Sequence, residues 1–189
     1  MPLNKKTWMS IFISIVMILS VVGFALTMSE PGQQVEYKGI KFTRTQGGWQ
    51  AKINNVKTQF YYHPAELDDI PVDEGVKVAL DGIRVLWFTY DPKDIYAQEI
   101  AGTLFYMEDS LAKVNDIYVQ RGLVNNTGYA LPEAGCANAT MAVPVFILQA
   151  GNETSIRHEN GCIIATAENG RDVLRAGERI LYEEFRVMQ

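Results

Sequence analysis

Residues 7–29 carry no charge, with Lys5 and Lys6 immediately before them and Glu30 immediately after. An α-helix rises about 1.5 Å per residue, so roughly 20 apolar residues cross the hydrocarbon core of a bilayer. The stretch 8–28, rich in Ile, Val, Leu, Phe and Met, meets that length. A soluble helix of this size would show a polar face, which this one lacks. A cleaved signal peptide is the competing reading. The basic start is present, and Gly23-Phe24-Ala25 and Ala25-Leu26-Thr27 are weak small-x-small cleavage sites. Signal peptides, however, have an apolar stretch of only about 7–15 residues. A retained single-pass anchor is the favoured reading.

Basic flanks stay on the cytoplasmic side of a membrane. The expected organisation is a short cytoplasmic N-terminus at residues 1–6, an anchor at 7–29 and an exported domain at 30–189. Within the anchor, Ser10 and Ser14 form a small-xxx-small pair of the kind that supports helix pairing.

About 160 residues outside the membrane suffice for one domain with its own core. Taking Lys5 and Lys6 from the 17 basic residues leaves 15 against 22 acids, a balance of −7. Such a domain repels phosphate backbones, and no clustered basic patch is present, which argues against nucleic acid as a partner. Cys136 and Cys162 both fall in the exported part, where an even number of cysteines reads as a disulfide. The bridge would contribute roughly 3.5 kcal/mol by restricting the unfolded chain. No C-x-x-C spacing favours a redox-active pair. Three N-x-T acceptor motifs, at Asn125, Asn138 and Asn152, lie within thirty residues, and export would make them candidates for N-glycosylation.

Beyond a linker at residues 30–34 the chain alternates as a β-meander. Ile40 and Phe42, then Trp49, Ala51 and Ile53, then Val56, Thr58, Phe60 and Tyr62 mark three strands, with turns at Gly47-Gly48 and Asn54-Asn55. Residues 64–81, acidic and broken by proline, hold at most one short helix. A buried strand at 83–90 is followed by Asp91-Pro92 and Asp94, a helix-start pattern. Tyr96, Ile100, Leu104, Met107, Leu111 and Val114 then form one apolar stripe. A strand at 116–121 completes a βαβ unit, which predicts parallel strands and a right-handed crossover. After a long loop at 122–141, strands are expected at 143–148, 155–158 and 162–165. A last helix starts near Asn169-Gly170 and buries Val173, Gly177, Ile180, Leu181 and Phe185. The fold class expected is α+β, with two main helices on a mixed sheet.

Candidate chemistry is sparse. His63 stands near Glu66, Asp68 and Asp69, so a hydrolase would use it as a base oriented by Asp68 or Asp69, or the group would hold a metal. The competing reading is a polar loop, since H-x-x-x-H spacing is missing. His158 beside Glu159 is weaker still. The sequence has no G-x-S-x-G, no S-x-x-K and no Gly-rich phosphate loop, and hence no cofactor motif. Adjacent Tyr61 and Tyr62 must point to opposite faces, so one of them should leave the core.

Three stretches carry a resemblance: GIKF…GGW…NNV…FYYHPAELDDI, CANATMAVPVFIL…GNETSI…NGCII and DVLRAGERILYEEF. Together they resemble the exported domains of uncharacterised archaeal membrane-anchored proteins, over most of the domain. The resemblance implies placement and no activity, cofactor or catalytic residue. The leading expectation is a non-enzymatic, membrane-tethered module outside the cytoplasm that binds an envelope protein or glycan. An exported hydrolase built on His63, Asp68 and Asp69, and a subunit of a membrane complex, are the alternatives.

Overall fold

The structure, a computed structural model, describes residues 5–28 and 32–188; within the first segment it describes the side chains of residues 8–22. The flanking charges Lys5, Lys6 and Glu30, residues 1–4 of the piece 1–6 expected on the cytoplasmic side, and the two cleavage-site candidates lie outside the described residues or side chains. The chain divides into two compact units, 1–34 and 35–189. The first is helix α1, Lys5–Met28. Every described side chain from Trp8 to Val22 is exposed, on all sides of the helix. Among the described residues no helix is long and apolar enough to cross a membrane.

The second unit is α+β. A four-stranded sheet runs β1 (Gln34–Tyr37), β2 (Ile40–Thr45), β3 (Gly48–Ile53) and β4 (Val56–Phe60) in that spatial order. The expected meander is there, with Phe42 opposite Ala51 and Trp49 opposite Phe60. Strand β1 replaces the end of the expected linker. Lys38 and Gly39, both at positive φ, turn it tightly into β2, as Asn54 and Asn55 turn β3 into β4. Residues 64–81 contain a 3-10 turn (Pro64–Glu66) and helix α2 (Glu74–Leu80), capped by Asp73.

A five-stranded sheet has the order β6-β5-β7-β9-β8, where β5 is Val85–Tyr90, β6 Tyr118–Leu123, β7 Val145–Ala150, β8 Ser155–Glu159 and β9 Cys162–Ala167. β5 lies parallel to β6 and β7, β7 parallel to β9, and only β8 runs antiparallel. The βαβ unit is therefore present, its helix α3 being Ala97–Asn115. Asp91 and Asp94 do not start that helix. Their carboxylates accept from Lys93 N and Tyr96 N, closing separate turns, and Asp94 also accepts from Ala150 N. Both acids satisfy loop donors instead of helical ones.

Helix α4 (Gly170–Glu184) explains the layering. The sequence predicts one buried face, but Glu178, Tyr182 and Glu183 are buried as well. Tyr182 stacks on Phe60 at 4.5 Å and meets Phe42 at 6.1 Å, so the first sheet packs on this side. Val173 and Ala176 belong to the same continuous core as Phe146 and Ile163 of the second sheet. Gly177 allows α3 to come close: a Cβ there would sit 2.5 Å from Thr103 Cγ2 and 2.9 Å from Met107 Sδ. α3 and α4 thus fill the layer between two sheets, and burial on both sides follows.

Candidate functional site

His63 is the first residue to place. Its ring is buried among Tyr37, Phe42 and Trp49, at centroid distances of 5.8, 5.1 and 4.8 Å. Nδ1 accepts from Ala65 N, which caps the 3-10 turn, and the buried Nε2 has no partner among the described residues. Burial pulls its pKa below the ordinary 6.5, outweighing the opposite pull of Glu66 and Asp68. Among the described residues no carboxylate oxygen bonds the ring. Glu66 accepts from His63 N and Trp49 Nε1, Asp68 from the Tyr37 hydroxyl, and Asp69 from Arg175 at 2.6 Å. His63, Asp68 and Asp69 are neighbours in sequence that the fold hands to three different tasks. The contact by which Asp68 or Asp69 would orient the imidazole is not formed among the described residues. His158 Nε2 accepts from Gly161 N across the β8–β9 turn. Among the described residues no group of three His, Cys, Asp or Glu side chains is placed to hold a metal ion.

Sequence reasoning missed Glu178, because a glutamate on a helix ordinarily reads as solvent-facing. Its side chain is fully buried, and its oxygens accept from Tyr61 N at 2.7 Å, Tyr62 N at 2.8 Å and the Tyr106 hydroxyl at 2.9 Å. Burial pushes its pKa up to about 7, against the pull of these three donors. Tyr182 completes the junction by donating to Tyr62 O at 2.8 Å. The end of β4 is thereby pinned to α3 and α4, and Tyr61 is turned outward, so one of the two adjacent tyrosines leaves the core as expected.

A cleft of about 620 Å³ opens beside the C-terminal ends of α2, α3 and α4. Its polar groups are mostly matched to each other: Arg186 with Asp81 at 2.7 Å, Asn115 with Glu184 at 2.9 Å and with Asn54 at 2.7 Å. Burial pushes Glu184 up to about 7. Mixed charge and mutual pairing leave it no evident preference for a charged ligand.

The outer face of the five-stranded sheet carries a second apolar cluster of Val145, Ile147 and Cys162, with Trp87, Ala139 and Ile164 against it. The β6–β7 loop covers this face, and the Cys136–Cys162 disulfide, with Cα atoms 5.1 Å apart, ties the loop to β9. The expected bridge is formed. The loop's base is closed by Leu123 N to Pro132 O, Ala134 N to Leu123 O and Val124 N to Tyr90 O. Its outward side presents Val124, Tyr129, Leu131 and Met141 to solvent. The loop, tied to β9 by the disulfide, thus carries apolar side chains into solvent.

The fold is a two-sheet α+β domain with a surface loop tied to the sheet by a disulfide. No protein-family model, curated protein or solved structure matches the chain.

Proposed function

We propose that the protein is a membrane-anchored, extracytoplasmic binding module, non-enzymatic, whose braced β6–β7 loop contacts an envelope protein or glycan. The observation that carries the reading is α1: from Trp8 to Val22 its side chains are exposed on every side and none is charged. Water is a poor solvent for such a helix, whereas lipid is a good one. Ser14 Oγ donates to Ser10 O within the helix, which satisfies that hydroxyl without water. The disulfide, the acidic balance and the archaeal resemblance fit the same placement. The loop's exposed Tyr129, Leu131 and Met141 supply the contact.

Photo-crosslinking in intact cells tests this reading, from a probe at Tyr129 with one at the exposed Lys52 of β3 as control. A discrete adduct at Tyr129 and none at Lys52 is expected. Equal labelling at the two positions refutes the loop assignment. Turnover of a peptide, glycan or ester panel, abolished by His63→Ala in a variant that still folds, refutes the non-enzymatic reading.

A further inference from the structure

Of the three N-x-T motifs, one is held in a shape that its neighbours do not share. Asn125 Oδ1 accepts from both Thr127 N at 3.1 Å and Thr127 Oγ1 at 2.7 Å. The turn uses the carboxamide oxygen only, and no hydrogen bond engages Nδ2 among the described residues. Two donors on the oxygen hold the carboxamide of the half-buried Asn125 in one orientation. At Asn138 the oxygen accepts from Gly135 N, while the Thr140 hydroxyl is taken by Val143, accepting from its N–H at 3.0 Å. At Asn152 the Thr154 hydroxyl donates to the largely buried Asp172 at 3.0 Å and accepts from Glu168 N. Both of these hydroxyls are committed to the fold.

Position agrees with geometry. Asn125 lies in the part of the β6–β7 loop beyond the closed base at Leu123 and Pro132. Thr127, Gly128 and Tyr129 are exposed, and Tyr129 N donates to Asn126 O in the turn that carries the motif outward. A transferase would meet this segment on the finished domain without opening a strand.

We propose that Asn125 is the site at which an oligosaccharide is attached, taken from a lipid-phosphate-linked oligosaccharide donor. In the transfer, Asn125 Nδ2 forms a bond to C1 of the first sugar. The bond from C1 to the lipid-phosphate oxygen breaks, the lipid phosphate leaves with the electron pair, and the amide proton passes to a base of the transferase. The proposal rests on the extracytoplasmic placement above.

The test expresses the full chain in a host whose exported compartment carries such a transferase and donor. Wild type is compared with Asn125→Gln, Asn138→Gln, Asn152→Gln and Thr127→Val by intact mass and glycosidase sensitivity. The expected result is a glycosidase-sensitive increment on wild type, lost in Asn125→Gln and in Thr127→Val and kept in the other two. Disulfide formation and digestion by external protease are read on the same samples, since they report export independently of any glycan. An exported, disulfide-bonded chain without the increment, or with it only at Asn138 or Asn152, overturns the assignment and leaves the export reading standing. A reduced, protease-protected chain overturns both.

Discussion

Glu178→Gln isolates a pH dependence that the geometry of α4 imposes. Glu178 has no exposed surface and accepts from Tyr61 N, Tyr62 N and the Tyr106 hydroxyl. Burial raises its pKa from 4.5 to about 7. The folded value lies above the unfolded one, so the native state binds the proton more tightly. The linked stability is fully present below pH 4.5 and is lost as the pH rises through about 7. At about 1.4 kcal/mol per pH unit, that interval corresponds to a loss on the order of 3 kcal/mol. Glutamine stays neutral throughout, so the variant lacks this slope whatever its absolute stability. Glu184 is also raised to about 7 by burial, but it is present in both proteins and cancels in the comparison. The assay is urea unfolding of the compact unit 35–189, followed by tryptophan fluorescence between about pH 4.5 and 8. Wild type should lose stability relative to Glu178→Gln across this range. Parallel curves would refute the reasoning, and with it the claim that Glu178 is buried in the folded domain.

Three further outcomes follow from the packing. Replacing Cys136 and Cys162 by serine should lower stability by about 3.5 kcal/mol in the chain-entropy account, read as a shifted urea midpoint, and should raise protease cleavage in the β6–β7 loop. Gly177→Ala should destabilise by about 1–3 kcal/mol, as overpacking does, although alanine favours a helix by about 1 kcal/mol over glycine; the thermal midpoint checks the sign. His63 contributes with the opposite sign from Glu178: its folded pKa is depressed, so stability present above pH 6.5 is lost as the pH falls through the folded value. His63→Phe should remove that acid-side loss, seen as a flatter stability curve below the imidazole range.

The parts of the fold written in local periodicity were legible. Alternation from Phe42 to Phe60 marked the meander, and the α3 stripe of Ile100, Leu104, Met107, Leu111 and Val114 is buried as its spacing requires. Strand β1 escaped notice because it is short and its pattern is only half-buried. The start of α3 was misjudged because Asp91 and Asp94 carry the same cap chemistry for ordinary turns. Strands β6 and β7 begin two residues later than their apolar runs suggest, since Asp116 ends α3 in a left-handed conformation and Pro144 precedes the β7 ladder. The greatest loss was at α4. A helix between two sheets buries Glu178 and Tyr182 on a side that sequence alone assigns to water, and no local signal records the second sheet. In the His63 segment the partners were illegible for the complementary reason: proximity along the chain says nothing about which way Asp68 and Asp69 turn, and they bond Tyr37 and Arg175.

The central proposal is that α1 is a membrane anchor and that residues 35–189 lie outside the cytoplasm, and topology in intact cells tests it most directly. Membranes washed with alkaline carbonate should retain the full chain. Protease added from outside should remove the 35–189 unit and leave an N-terminal fragment containing α1 with the membrane. A chain released by carbonate, or a 35–189 unit protected until the membrane is permeabilised, would contradict the account.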